Sequence, residues 1–157
     1  MQVAGARGSA ADPAERLAVL ARFGGEVQLL DARLVVGRDH LTSAFEHAER
    51  AMREGTNVAR TLAVEFVLYA SGERQINDAL AKMGIRADTT EFALVVFGGD
   101  PEQALTAFRL TRDDAVLGAT PAKLRSFGFS PAELLSVPPD RQADLVLERV
   151  ALVDLLK

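Results

Sequence analysis

The chain of 157 residues has no cysteine, two histidines and few aromatics, 6%. Without cysteine there is no disulfide framework, no thiolate metal site and no thiol nucleophile. His40 and His47 stand seven apart, whereas metal ligands on a helix usually sit three or four apart, and no third ligand accompanies them; neither a metal nor a cofactor is expected. No uninterrupted apolar run approaches the roughly 20 residues of a membrane span, and "MQVAGARGSAADPAERL" lacks the apolar centre of a signal peptide, so the expectation is a cytoplasmic protein without a membrane partner. Positive charge is not in excess: 18 Lys and Arg against 22 Asp and Glu leave a net charge of −4. Any nucleic-acid contact is therefore a local patch rather than a broad phosphate-tracking surface. Gly24-Gly25 and Gly98-Gly99 form neither a dinucleotide fingerprint nor a phosphate loop, and Ser71 beside Glu73 has no histidine nearby. Acidic pairs such as Asp113-Asp114 and Glu46/Glu49 suit a solvated face. Nothing here supports an enzyme.

What is present suits one domain over residues 1–157, with 48% hydrophobic and 25% charged residues and no repeat or long linker to divide it. "MQVAGA" predicts a short strand. Asp12 and Pro13 read as a cap and a first-turn proline, opening a helix with Leu17, Leu20 and Ala21 inward and Gly24-Gly25 as its stop. Glu26 to Val36 reads as one strand or a tight pair. With Asp39 as N-cap, the spacing of Leu41, Ala44, Phe45, Ala48 and Met52 predicts a helix ending at Gly55, with Glu46, His47 and Arg50 off its stripe. Leu62 to Tyr69 has almost no polar face and predicts a buried helix, in which Glu65 requires an arginine or backbone amides as partner. Ser71 and Gly72 break it, and Ile76, Ala79, Leu80 and Met83 line one side of a second helix that ends at Gly84. Glu91 to Gly99 predicts a buried strand, and Pro101 starts another helix. Thr-Pro and Ser-Pro pairs open two short helices in "ATPAKLRSFGFSPAELLSVPPD", and a last helix runs from about Pro139. The expected class is α+β, a small, mostly antiparallel sheet covered by several helices.

The last helix has more apolar surface than one core needs. Leu145, Leu152 and Leu156 share one face, Val146, Val150 and Val153 a neighbouring one, and Leu147 and Ala151 lie further round. Either the helix is sandwiched inside the domain or one face meets a partner protein.

"HLTSAFEHAERA", "VARTLAVEFVLYASGERQINDALAKMGI" and "FALVVFG" resemble, in order along the chain, the small non-catalytic subunit of the KEOPS complex, the CGI-121-type family that binds the complex's atypical kinase. The buried helix followed by "SGERQI" is the most specific part. The resemblance implies a single accessory-subunit domain with a role in making threonylcarbamoyladenosine in tRNA, the transfer itself being performed by another subunit. It further implies binding of the small atypical kinase, here assigned to Leu145, Leu152, Leu155 and Leu156, and, as in archaeal-type members, recruitment of tRNA by its single-stranded 3′ CCA end.

On that reading Arg74, Gln75 and Ile76 meet the RNA. Free N–H groups at a helix start favour an anion, Arg74 adds a charge-assisted fork for phosphate, Gln75 can reach a base edge or a sugar hydroxyl, and Ile76 can pack under a base. Arg60, Lys82 and Arg86 are further cations for a short single strand. The competing reading takes Arg74, Asp78 and Lys82, spaced four apart, as an exposed salt-bridge ladder worth a few tenths of a kcal/mol per pair.

Overall fold

A computed structural model describes residues 1–9 and 12–157. Strand β1 (Gln2–Arg7) precedes α1 (Pro13–Ala21) and β2 (Val27–Asp31); then come α2 (Arg38–Glu54), α3 (Leu62–Ser71), α4 (Ile76–Met83) and β3 (Glu91–Val96). After these follow α5 (Pro101–Ala107), the two-residue β4 (Thr111–Arg112), α6 (Pro121–Phe127), α7 (Pro131–Leu135) and α8 (Asp144–Leu156). Short 3-10 turns occupy Ala32–Leu34, Asp114–Leu117 and Pro139–Arg141. The strands form one sheet in the order β2-β3-β1-β4, every pair antiparallel, with Leu94 opposite both Ala4 and Leu29. The α+β architecture expected from the pattern is the one observed.

Local chemistry sets most helix starts. The Asp12 carboxylate accepts the Ala14 N–H with Pro13 in the first turn, Thr61 caps α3, and Thr120 and Ser130 cap α6 and α7 ahead of their prolines. Elsewhere tertiary partners move the boundaries. Residues 26–36 form one strand that stops at Asp31, because its carboxylate accepts both the backbone N–H and the guanidinium of Arg33 and turns the chain into the 3-10 segment. Helix α2 starts at Arg38, with Gly37 at φ 89° as its cap, so Asp39 sits in the first turn, where its negative charge meets the positive end of the helix dipole. The last helix starts at Asp144 rather than near Pro139, since Pro139–Arg141 closes a 3-10 turn of its own.

The sheet separates two apolar layers. Alternate residues of β3 divide between them, Ala93 and Val95 facing α2, α3 and α8, and Phe92, Leu94 and Val96 facing α1 and α5. On α1 the inward positions are Arg16, Val19 and Leu20, whereas Leu17 and Ala21 are exposed. The Arg16 guanidinium lies 4.4 Å over the Phe92 ring and donates to the carbonyls of Phe108 and Ser9, which draws that face of the helix onto the sheet. On α4, Ala79 and Met83 are buried, Ile76 is half-buried and Leu80 is exposed. Among the described residues no helix is long and apolar enough to cross a membrane.

Candidate functional site

The segment between α3 and α4 is held from several sides. Gly72 ends α3 in the left-handed conformation, φ 69°, which L side chains rarely adopt. Ser71 Oγ donates to the Leu68 carbonyl at 2.8 Å and accepts the Glu73 N–H at 3.1 Å. Lys82 Nζ donates to the Ser71 carbonyl at 2.7 Å and to the Glu73 carboxylate at 3.1 Å, and lies 4.1 Å over the Phe127 ring. Below the turn, fully buried His40 accepts the Val36 N–H at Nδ1 and therefore donates from Nε2 to the Ala70 carbonyl at 2.7 Å. Burial lowers its pKa from 6.5 to about 4, against the hydrogen bond to Ala70 and with the help of Lys82 and Lys123, so the ring is neutral at pH 7.

Above this frame Arg74 and Gln75 are exposed. Gln75 is the cap residue of α4, but its side chain makes no capping bond, so the first amides of the helix have no side-chain acceptor. The salt-bridge ladder does not form. Arg74 precedes the first helical residue, Lys82 pairs with Glu73 instead, and neither Arg74 nor Asp78 is in an ion pair among the described residues. Of the six candidate RNA contacts, Arg74, Gln75 and Ile76 adjoin. Lys82 is committed to the turn beneath them. Arg86 follows the far end of α4, about 12 Å of helix away, and its guanidinium leans back to the Ala81 carbonyl. Arg60 is exposed ahead of α3, with the length of that helix between it and Arg74.

Helix α8 separates its valines from three of its leucines. Val146, Val150 and Val153 are buried, while Leu152 is 43%, Leu155 79% and Leu156 52% exposed. Leu145 is half-buried against the cluster of Val36, Leu124, Phe127, Phe129 and Leu134, apart from the three exposed leucines. The helix also reaches the turn, since a Cβ on Gly72 would stand 3.3 Å from Arg149 Cβ.

The profile of the family described as kinase binding protein CGI-121 matches residues 14–117. The chain belongs to the CGI-121 family. No curated protein matches the chain. The family match opens in α1, includes the turn at Ser71–Gln75 and closes with the 3-10 segment at Leu117, so the three exposed leucines of α8 lie beyond it.

Sequence reasoning missed how a CGI-121-type core holds α8. Glu65, fully buried, accepts the amides of Val58 and Ala59 at 3.0 and 2.7 Å, and its second oxygen pairs with Lys157 at 2.9 Å, a lysine rather than an arginine. Lys157 Nζ also donates to Tyr69 Oη at 2.6 Å, and the Tyr69 hydroxyl donates in turn to Asp154. Asp154 further pairs with His47 at 2.7 Å and Arg50 at 2.6 Å. Burial pushes the Asp154 carboxyl up, but hydrogen bonds from Tyr69, His47 and Arg50 outweigh it and leave the group below the usual carboxylate range. Burial and the bond to Asp154 raise Tyr69. The available signal was the placing of His47 and Arg50 off the α2 stripe together with Asp154 and Lys157 three apart on an otherwise apolar helix.

Proposed function

We propose that this CGI-121 family member is the non-catalytic, cytoplasmic subunit of KEOPS that holds the complex's small atypical kinase and recruits tRNA by its single-stranded 3′ CCA end. The observation that carries the reading is the state of α8: one face of valines is locked in the core by Glu65–Lys157 and Asp154, and three leucines are left without cover on the other. A rigid helix with an apolar stripe suits protein recognition, and kinase binding is what the family is described by. For the RNA, the supports are the uncapped start of α4 and the exposed pair Arg74 and Gln75. A second reading, kinase binding without RNA contact, is favoured by the engagement of Lys82 with Ser71 and Glu73, which leaves Arg74 as the patch's one unpaired cation among the described residues.

One pair of variants tests both halves. Leu155→Arg, at the most exposed leucine of α8, removes kinase binding at unchanged thermal stability while tRNA retention on filters persists; burying an unpaired charge in an interface costs several kcal/mol. Arg74→Glu leaves kinase binding intact and abolishes most tRNA retention, and Arg74→Gln lowers the slope of log affinity against log salt by about 0.7. Absence of tRNA retention by the unmodified chain selects the second reading, and equal retention with and without the CCA end removes the role of that end. Full kinase binding by Leu155→Arg removes the first.

A further inference from the structure

On the other side of the sheet, α1 and the end of α5 enclose a cavity of about 260 Å³ lined by Glu15, Arg16, Arg22, Phe108 and Arg109, with Ser9 at its edge. Three arginines around one concavity are unusual in a chain whose net charge is −4. Arg16 is 6% exposed, yet its guanidinium has only neutral partners: the Phe108 carbonyl at 3.3 Å, the Ser9 carbonyl at 2.8 Å and the Phe92 ring. No carboxylate oxygen lies within 4 Å of it among the described residues; Glu15, on the wall of the same cavity, acts on it only from further away. A buried cation without an anion is costly, and a methionine would fill the same space.

Arg109 adds an independent observation. Helix α5 ends with Leu110 N–H on the Leu105 carbonyl and Arg109 N–H on the Thr106 carbonyl, a closure that sets the residue after the cap in the left-handed region. Glycine is usual there. Arg109, at φ 53°, is the one positive-φ residue other than glycine among the described residues, and its backbone costs roughly 1–2 kcal/mol. Its side chain is 86% exposed and its one ion pair among the described residues, with Glu15, is long at 3.9 Å, so little offsets that cost. Arg22, exposed at the end of α1, makes no ion pair among the described residues.

We propose that this cavity is a phosphate site, in which Arg16 supplies a fixed buried charge and Arg22 and Arg109 close on the anion from the rim. Planar guanidinium forks match phosphate oxygens two at a time, which accounts for arginine at a position where the backbone favours glycine. The phosphate belongs either to a free phosphate compound or to an RNA backbone, and the site is independent of the surface around Arg74.

Calorimetric titration with pyrophosphate at low salt tests it, using the full chain carrying Arg74→Glu so that the other surface is silent. Saturable binding is expected, weakened about tenfold by Arg22→Gln and by Arg109→Gly. Arg109→Gly also raises the thermal midpoint, because it relieves the backbone; greater stability with weaker binding is the signature of a position kept for a ligand. A short single-stranded RNA that displaces pyrophosphate assigns the phosphate to a nucleic-acid backbone, and one that does not assigns it to a free compound. Absence of pyrophosphate binding, or binding undiminished in both variants, overturns the proposal.

Discussion

The two helical layers that cover the sheet differ in where their charged groups find an ionic partner. On the side of α2, α3 and α8, buried Glu65 meets Lys157 and partly exposed Asp154 meets His47 and Arg50, although Lys123 of α6, buried against the same cluster, donates only to the Val35 and Val116 carbonyls. In the layer of α1 and α5, Arg16 is as deeply placed but meets carbonyls and a ring only. The first arrangement specifies where α8 lies, because only one placement joins residues 92 positions apart. The second leaves a guanidinium with no carboxylate oxygen within 4 Å among the described residues, Glu15 acting on it from further away.

The contrast predicts unequal responses to substitution. Glu65→Gln leaves the Lys157 ammonium without a counter-charge in a closed environment and costs about 3–5 kcal/mol in urea unfolding, whereas adding Lys157→Met regains part of the loss. If the single variant unfolds at the wild-type urea concentration, the first layer is not ionically pinned. Next comes His40, neutral in the folded chain with a pKa of about 4 against 6.5 when unfolded. The unfolded chain binds the extra proton, so the stability associated with His40 is complete above pH 6.5 and falls away between pH 6.5 and 4, by roughly 3 kcal/mol. Denaturation midpoints across that interval should slope for wild type and flatten in His40→Gln. Smallest is Arg16→Met, which removes a cation already without an anion and shifts stability by about 1 kcal/mol or less in either direction. A loss as large as that of Glu65→Gln would erase the distinction between the layers.

The parts of the fold that were legible in the sequence are those decided within a few residues. Asp12-Pro13, Thr120-Pro121 and Ser130-Pro131 carry their caps beside their helices, and the unbroken apolar run of β3 marks a strand buried on both faces. What escaped depends on distant groups. Arg16 rather than Leu17 turns inward because a carbonyl 92 residues away accepts from it. The need of Glu65 for a partner was readable, and the backbone amides were anticipated; Lys157 was not, since nothing local joins the two. The ladder of Arg74, Asp78 and Lys82 failed for a simpler reason: four-residue spacing makes neighbours only inside a helix, and Arg74 stands before its first turn. At α8 the division between valines and leucines was visible in the spacing, but which set met the core was decided by α2 and α3.

Strand β3 pairs with both β1 and β2, and three helices intervene between β2 and its partner. The sheet therefore contains no hairpin among its described strands, and this has a consequence for biogenesis. As the polypeptide leaves the ribosome, β1 and β2 emerge as apolar strands with no neighbour to join, and they wait until Glu91–Val96 has followed. Meanwhile α2, α3 and α4 can pair through local contacts and form the first compact unit. Six residues translated past the midpoint of the chain thus control when the sheet assembles, and until then the edges of β1 and β2 have no strand of their own sheet to pair with.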